Sequence, residues 1–556
     1  MEARANPGST ARVVPTRDRW RQASGVGLLL LLAACGGGGG GGGPTSTPVA
    51  PLGWQQGVYK PASGFANLCA SPRTGTDPAT GKAYLDKLGG VLDENNWLRS
   101  WSNDLYLWFG EITDQDPGGY STTAAYFKVL KTMAKTPSGA DKDKFHFTYP
   151  SDQWYALSVG GSQAGYGADW EVLASQPPRS VVVGYTEPGS PAEAAGLVRG
   201  DAVIAIDGID MVNSNVQSEI DALNAALFPS ATGQSHVYTV QDPGAAGTHD
   251  VTLVSANITT HPVQDVKTLA TASGTVGYML FNDHLATSEA ALVTAFTTLA
   301  GSGLSDLVID IRYNGGGYLD IASEVAYMVA GPGPTTGQTF ELTQFNSKYP
   351  NTDPVTGQAI TPTPFHTTTQ GFSTTSGQAL PTLNLPRVFV LTGHGTCSAS
   401  EAIINSLRGV GVEVIQVGST TCGKPYGFYP QDNCGTTYFT IEFRGVNALG
   451  FGDYTDGFSP QNEPPATNGS FVGVSLPGCS VADDFSHALG DPAEGRLAAA
   501  LAYRLNGGSC PVPATGIGLS RSLVVGTASG GIELVPPFRP QQQLRLPRPQ
   551  SLPRAR

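Results

Sequence analysis

From Gly274 onward, short apolar runs alternate with segments of helical periodicity, and few fold classes accommodate that pattern. The runs at 307–311 and 388–391 have the composition of buried strands, and segments with apolar residues at helical spacing follow at 318–329 and 400–407. Strands that are separated by helices need crossover connections, which place neighbouring strands parallel. The second half of the chain is therefore predicted to be an α/β domain on a largely parallel sheet.

Between about residues 160 and 262 the pattern changes to short strands separated by Gly and Pro turns. Within this stretch Ser190 can cap a short helix that begins at Pro191 and ends near Gly196. A tight turn and a strand at 202–207 follow. These features predict a compact β-rich domain.

This β-rich stretch resembles a PDZ domain. The resemblance implies a loop whose backbone amides capture the terminal carboxylate of a peptide while the peptide adds a strand to the sheet edge. A PDZ-like fold that serves only as a spacer between domains is the alternative. The residues that match the peptide-binding loop are Gly165, Tyr166 and Gly167.

The N-terminus has the pattern of an export signal, with scattered arginines before an apolar run at 26–34 that is too short to span a bilayer. The run ends in Leu-Ala-Ala-Cys, which resembles the lipobox of bacterial lipoproteins and implies lipidation of Cys35. An ordinary secretory signal is the alternative. A glycine run at 36–43 then provides a flexible tether. The sequence therefore predicts an envelope protein that faces the periplasm, from the outer membrane, or the cell exterior.

Composition and spacing divide the chain into six segments. The predicted segments are a lipoprotein signal (1–35), a tether rich in Gly, Pro, Ser and Thr (36–63), a small helical domain (64–155), the PDZ-like domain (156–262), the α/β core (263–510, with a long surface excursion at 332–386) and a disordered tail rich in Pro and Arg (511–556).

Charge and cysteine content exclude several classes of function. The net charge is −13, and removal of residues 1–34 takes away five arginines and two acids, so the mature chain is more acidic still. A nucleic-acid partner is therefore not expected. No cysteine or histidine pair has zinc-ligand spacing. Six cysteines besides Cys35 in an exported chain suggest disulfides, and Cys422 with Cys434 is the first expected pair.

The first of three unusual strand ends is glycine-rich. Asp310-Ile311-Arg312-Tyr313-Asn314 leads into Gly315, Gly316 and Gly317, whose amides can approach a ligand closely at a helix N-terminus. A phosphate loop would need Lys-Ser or Lys-Thr directly after the glycines, and Tyr318 follows instead. These amides suit a developing oxyanion rather than a nucleotide.

The second and third strand ends carry a serine and a lysine. Ser398 lies at a strand-to-helix turn, where the helix dipole favours negative charge. Ser398 or Ser400 could instead be only an N-cap, with Glu401 completing a capping box. Lys424 lies in a loop of small residues, and burial there would lower the pKa of its amine. A neutral lysine can take the serine proton, and neighbouring parallel strands place both loops at one sheet edge.

Together these three segments resemble the C-terminal processing peptidases, or tail-specific proteases, over about residues 84–505. The resemblance implies a crotonase-like core, no metal or organic cofactor, and a Ser-Lys dyad that cleaves polypeptides, near their C-termini in this family. Phe428 stands where some members have a glutamine that orients the lysine, and Gln431 is a possible substitute. The implied roles are nucleophile for Ser398, general base for Lys424 and oxyanion-hole amides for Gly315, Gly316 and Ala399.

Three alternatives remain open at this stage. Cys397 with His394 could form a cysteine hydrolase, although export favours a disulfide. Ser398 could act with a histidine, although no Gly-x-Ser-x-Gly elbow surrounds it. The chain could also be a non-catalytic peptide- or ligand-binding lipoprotein that keeps the protease fold. The residues favour a lipid-anchored serine endopeptidase over these.

Overall fold

The computed structural model describes residues 54–78, 80–464, 473–511 and 531–534, and the backbone of 545–546. Cys35, the predicted signal and most of the tether lie outside these residues. We distinguish the N-terminal region (54–160), the β-rich module (162–259) and the parallel core (263–505). Nowhere in the described part of the chain does a helix combine the length and apolarity that crossing a membrane requires.

The N-terminal region packs its longest helix through aromatic side chains. Trp97 and Trp101 lie one turn apart on this helix, stack at 5.1 Å between ring centroids and contact the buried Tyr438 of the core. Helices are confirmed here, but a strand at the end of the region also pairs with the core. The elements are β1 (Leu68–Cys69), β2 (Lys87–Leu88), α1 (Val91–Leu105), α2 (Thr123–Phe127), β3 (Phe147–Pro150) and α3 (Ser151–Gly160).

The β-rich module is an antiparallel sheet with one longer helix. Its strands run in the order β10-β9-β7-β6-β5, with β8 beside β7, and β11 pairs with β4 apart from this sheet. Ser190 caps α4 as predicted, since its Oγ accepts from the amide of Glu193 at 3.2 Å. The elements are β4 (Ser162–Gly165), β5 (Ala168–Ala174), β6 (Ser180–Thr186), α4 (Pro191–Ala194), β7 (Ala202–Ile206), β8 (Ile209–Asp210), α5 (Gln217–Leu227), β9 (Ser235–Gln241), β10 (His249–Val254) and β11 (Ala256–Thr259).

The parallel core confirms the predicted alternation. Its main sheet has the order β12-β13-β14-β18-β19-β26, and every neighbouring pair is parallel except β12 with β13. The elements are β12 (Val263–Thr271), β13 (Gly274–Phe281), α6 (Ser288–Ala300), β14 (Asp306–Asp310), β15 (Gly317–Tyr318), α7 (Leu319–Ala330), α8 (Pro332–Thr335), β16 (Thr339–Phe345), β17 (Thr363–Pro364), β18 (Arg387–Thr392), α9 (Ala399–Gly409), β19 (Glu413–Gly418), β20 (Tyr426–Gly427), β21 (Gln431–Asn433), β22 (Thr436–Phe439), β23 (Phe443–Val446), β24 (Phe458–Pro460), β25 (Val474–Leu476), β26 (Gly478–Ser480) and α10 (Gly495–Leu505).

Both faces of this sheet are covered, which explains why its strands are apolar throughout. Along β13, Tyr278 and Leu280 pack with α10, whereas Met279 and Phe281 pack in the larger cluster that holds α6, α7 and α9. Every residue of α7 is buried. The carboxyl ends of β14, β18 and β19 consequently lie side by side at one edge of a rigid scaffold.

The structure pairs the cysteines differently from the sequence prediction. The predicted bond between Cys422 and Cys434 is wrong, because the chain brings Cys434 to the N-terminal region and Cys422 to the turn before α9. Proximity in the folded chain, rather than in sequence, sets the pairing. The three disulfides are Cys69–Cys434, Cys397–Cys422 and Cys479–Cys510.

Two predicted irregular segments are more ordered than expected. The excursion at 332–386 is not confined to the surface, because Phe340, Phe365 and Leu380 are buried in the core. Within the tail, residues 531–534 pack against the β-rich module and 545–546 form a strand (β27, Arg545–Leu546) beside β15, while most of its other residues lie outside those described. Isolated apolar residues anchor both segments despite their polar surroundings.

Candidate active site

The three predicted strand ends meet at the edge of the parallel sheet. Asn314, after β14, accepts hydrogen bonds through its backbone carbonyl from the amide of Cys397 at 3.1 Å and from Oγ of Ser400 at 3.0 Å. The loop after β19 joins them, because the amide of Cys422 donates to the carbonyl of Thr396 at 3.0 Å. The prediction that these loops lie together at one edge of the sheet is confirmed.

Ser398 precedes α9 in a backbone conformation that few side chains adopt. Its φ is 62° and its ψ is −111°, in the region where a non-glycine residue carries about 1–3 kcal/mol of strain. The side chain is completely buried, and Oγ has no hydrogen-bond partner among the described residues. The capping-box interpretation is therefore only half right: Glu401 accepts from the Ser398 amide, but the hydroxyl caps nothing.

Glu401 joins the serine to the lysine. Its Oε2 accepts from the amide of Ser398 at 2.9 Å and from the amide of Lys424 at 2.8 Å. Because both amides donate to the same oxygen, the backbone nitrogens of Ser398 and Lys424 are no further apart than the two hydrogen-bond lengths added together. Oε1 accepts from the amide of Gly423 at 2.9 Å and from Oγ1 of Thr421 at 2.5 Å. One buried carboxylate thus fixes both loops against each other.

Lys424 is completely buried against aromatic rings. Its Nζ lies 4.1 Å from the ring centroid of Phe428 and 4.9 Å from that of Phe145. Burial lowers the pKa of this amine well below its usual value, and the negative charges of Asp143 and Glu401 oppose that shift only in part. Phe428, which stands where some members of the family have a glutamine, therefore contacts the amine. Gln431 lies in β21, and its side-chain amide donates to the carbonyl of Asp432.

Asp143 is a charged neighbour of Lys424 that the motif analysis missed. It is completely buried and comes from the N-terminal region. Its carboxylate accepts from the hydroxyl of Tyr106 at 2.6 Å and from the amide of Phe145 at 3.0 Å. The residue lies in a lysine-rich loop without a recognisable motif, so only the tertiary structure associates it with the site.

The disulfide between Cys397 and Cys422 excludes the cysteine-hydrolase alternative, because a bonded sulfur is not a thiolate nucleophile. It ties the residue before Ser398 to the residue two before Lys424. Glu401 lies beside both sulfurs. The same bond removes these sulfurs as thiolate ligands for a metal.

The glycine loop is held by Asn314 and His284. Oδ1 of Asn314 accepts from the amide of Gly316 at 2.9 Å and lies 2.9 Å from Nδ1 of His284. Burial lowers the pKa of His284 to about 3. The Gly316 amide would have to give up this bond to serve an oxyanion, and the oxyanion roles of Gly315 and Gly316 stay predictions. Ala399 begins α9, so its amide has no acceptor within the helix.

A buried ion cluster lies at the same edge of the sheet. We call Arg312, Asp310, Asp483 and Glu494 the Arg312 cluster. The guanidinium contacts these carboxylates at 2.8, 2.6 and 2.8 Å, respectively. Burial alone would raise the pKa of Asp483, but neighbouring guanidinium groups hold it well below its usual value. These contacts indicate a structural role for Asp483.

The predicted peptide-binding loop lines a cavity of about 880 Å³ between the β-rich module and the core. Tyr166 is buried, and Gly167 has a φ of +78°, where an added Cβ would lie 2.2 Å from Cβ of Ser190. Burial raises the pKa of Glu187, which also lines the cavity, to about 7. Ser398 and Lys424 are not among the described residues that line it. The cavity does reach Gly395 and Ser419, which lie in the loops that lead to Ser398 and Lys424.

Comparison with known proteins identifies the region that contains this site. Residues 275–428 match the model of "Peptidase family S41". A carboxyl-terminal-processing protease of Picosynechococcus sp. is 30% identical over 170 residues, which are 31% of this chain and 39% of that protein. A chloroplastic C-terminal processing peptidase of Tetradesmus obliquus is 32% identical over 165 residues, 28% of this chain and 34% of that protein. The chain thus matches less than half the length of these relatives.

A solved structure extends the likeness in fold. A Bacteroides fragilis protein assigned to the S41 proteases matches with a TM-score of 0.55 and 21% identity, covering 74% of this chain and 97% of that protein. The chain is therefore similar to the C-terminal processing peptidases, as its motifs predict, and the similarity to peptidase family S41 covers its residues 275–428.

Proposed function

We propose that this chain is a serine endopeptidase that cleaves exported or unfolded polypeptides, with Ser398 as nucleophile and Lys424 as general base. One observation carries the proposal. A strained, buried serine without a hydrogen-bond partner and a buried lysine of lowered pKa share one carboxylate oxygen through their backbone amides. An ordinary N-cap serine or surface lysine needs none of these features.

The chemistry follows from this arrangement. The neutral amine of Lys424 accepts the proton of Ser398 Oγ as that oxygen attacks a peptide carbonyl. Backbone amides at the helix N-terminus, including that of Ala399, stabilise the oxyanion together with those of the glycine loop at Gly315 or Gly316. The protonated lysine then gives the proton to the leaving amine, and water hydrolyses the acyl-enzyme by the same route. Movement must first bring the hydroxyl and the amine into contact.

The finer features of the architecture belong to the same proposal. The parallel core is proposed to be crotonase-like, and the β-rich module to be an inserted PDZ-like domain whose loop at 165–167 takes a peptide. The lipobox at Cys35 supports anchoring to the cell envelope, with the peptidase outside the cytosol. The names of the similar proteins support cleavage near the C-terminus of the substrate.

The test compares four forms of the chain that begin at residue 36, each incubated with an unfolded polypeptide. The unchanged chain should cleave it, whereas Ser398→Ala and Lys424→Ala should each lose activity by about 10³-fold or more. Ser406→Ala is the matched control, because Ser406 is also buried on α9 but donates to the carbonyl of Ala402. Its activity should stay near that of the unchanged chain.

A substrate left intact by all four forms would contradict the proposal and favour a non-catalytic binding protein. Cleavage that survives Ser398→Ala but depends on a histidine would instead point to another nucleophile. Circular dichroism and thermal unfolding of each form establish that lost activity is not lost folding.

A further inference from the structure

Two parts of the tail contact the rest of the molecule at separate places. Residues 531–534 contact the β-rich module, and residues 545–546 pair with β15 beside the glycine loop. Neither contact follows from the composition of the tail.

The first contact is a specific peptide site. Leu534 is completely buried in the hydrophobic core of the module, and its amide donates to the carbonyl of Ser175 at 2.9 Å. The amide of Ile532 donates to Oδ1 of Asn215 at 2.6 Å. The buried Arg179 donates to the carbonyl of Ile532. Main-chain hydrogen bonds with an apolar side chain in a pocket are how proteins recognise extended peptides.

The position of this site on the module is informative. Ser175 directly follows β5, which is the end strand of the module's main sheet, and Asn215 lies just before α5. Arg179 ties the two sides together, donating to the carbonyls of Ser175 at 3.0 Å and Ser214 at 2.6 Å. The segment thus lies between the end of an edge strand and the start of a helix, away from the predicted loop at 165–167.

The second contact lies next to the proposed chemistry. β27 (Arg545–Leu546) runs parallel to β15, with Gly317 opposite Arg545 and Tyr318 opposite Leu546. Gly317 follows directly on Gly315 and Gly316 and bridges to His284 on its other side. An extended backbone there adds a strand to the glycine loop, as a bound polypeptide substrate would.

We propose that the residues around Leu534 are a built-in peptide ligand of the β-rich module and that this attachment keeps residues 545–546 at the substrate position beside the glycine loop. The second half of this inference rests on the proposed function. Attachment at one point raises the effective concentration of a linked segment at a second point. The chain's own tail therefore competes with other polypeptides for the active site.

Hydrogen–deuterium exchange tests the attachment without any need for activity. In a full chain that carries Ser398→Ala, Leu534→Asp should increase exchange around Ser175 and at Gly317, whereas the Tyr318 amide should stay protected because it donates to the carbonyl of His284. Val254→Asp is the matched control, because Val254 is an exposed apolar residue of the same module, and it should change neither region. Unchanged protection of β6 in both variants establishes that the module stays folded.

A second variant acts from the module side. Asn215→Ala removes the acceptor of the Ile532 amide without altering the tail, and it should produce the same changes at smaller amplitude. Protection near Ser175 and at Gly317 that neither variant alters would overturn the inference. Increased exchange near Ser175 alone would overturn its second half, because the two contacts would then be independent.

Turnover of an unfolded polypeptide gives the functional test in chains that keep Ser398. Leu534→Asp should raise kcat/KM on the order of tenfold, and a synthetic peptide of residues 531–546 should lower it again. Equal kcat/KM for Leu534→Asp and Val254→Asp would contradict competition by the tail. Absence of cleavage in every form would contradict the proposed function alone, since the exchange result judges the attachment separately.

Discussion

Arg312 and Lys424 are both completely buried, yet their surroundings differ in kind. Arg312 contacts the carboxylates of Asp310, Asp483 and Glu494, so its charge is compensated by direct ion pairs. The amine of Lys424 lies against the aromatic rings of Phe428 and Phe145, and Glu401 accepts a hydrogen bond from its backbone amide. Direct ion pairs keep the guanidinium charged, whereas burial lowers the pKa of the Lys424 amine, as its proposed role as general base requires. Both side chains are buried, so the difference between the two cations lies in the groups that contact them.

Removal of the Lys424 amine tests the contrast with Arg312 most directly. Lys424→Met should lower kcat by about 10³-fold or more, because it removes the proposed acceptor of the serine proton. Unfolding should occur at the same temperature or a higher one, since an apolar side chain suits this apolar pocket. Steady-state kinetics and thermal unfolding measure the two effects. A variant that loses stability and activity in parallel would show that the amine is structural.

Removal of the Arg312 guanidinium should instead lower the stability of the fold. Arg312→Met leaves the carboxylates of Asp310 and Glu494 buried without their partner, which should cost about 3–5 kcal/mol in the free energy of unfolding. Chemical denaturation measures this value. Arg444→Met is the control, because its pair with Asp453 is exposed and worth about 0–1 kcal/mol. Equal effects of the two substitutions would contradict the contrast.

The disulfides allow a similar contrast between chemistry and stability. Replacing both Cys397 and Cys422 by alanine should lower kcat about tenfold, because the Ser398 and Lys424 loops lose a covalent link. The control replaces Cys479 and Cys510, which close a loop of similar length, 31 against 25 residues. Both double variants should lose about 2–4 kcal/mol of stability. Equal kcat in the two variants would exclude a positioning role for the first bond.

Stability should respond to alkaline pH through Lys424. Folding lowers the pKa of the Lys424 amine below its value in the unfolded chain, which is about 10.4. At a pH between the folded and unfolded values, the amine is protonated in the unfolded chain and neutral in the folded one. Stability should therefore rise with pH in this window, by up to about 1.36 kcal/mol per pH unit. Lys424→Met should abolish the rise. Asp483, whose folded-state pKa is lowered, stabilises above its unfolded pKa and should lose that contribution only as acid is added. Denaturation at several pH values separates the two.

The smallest expected effect concerns Asp143. Its negative charge raises the pKa of Lys424 against the stronger effect of burial. Asp143→Asn should therefore lower that pKa further and move the rising limb of the activity profile to lower pH. Activity measured across pH with a neutral substrate checks this shift. A limb that moves to higher pH would show that the carboxylate does not act through its charge.

The parallel core could be predicted from the sequence because the patterns that mark its elements are local. Apolar strands, helix periodicity and glycine-rich ends are each readable in a few residues, and α7 and α9 lie within a residue or two of their predicted bounds. Ser398, Lys424 and the meeting of their loops followed from the rule that parallel strands end at one edge.

What sequence reasoning missed depends on contacts between distant residues. Glu401 was interpreted only as a helix cap, although it also binds Gly423 and Lys424. The cysteine pairing, the contact of Asp143 with the site and the attachment of Leu534 all join segments that are far apart in sequence. No local pattern marks such contacts, because packing of the whole chain creates them.

The bond between Cys69 and Cys434 has a consequence for how the molecule is made. The two cysteines are 365 positions apart, and the β-rich module and most of the parallel core lie between them. A polypeptide made from its N-terminus presents the first sulfur long before the second exists. Covalent closure must therefore wait until residue 434 has been made, and until then Cys69 is open to mispairing with Cys397 or Cys422, which emerge earlier. Maturation of this chain should consequently depend on disulfide isomerisation as much as on oxidation.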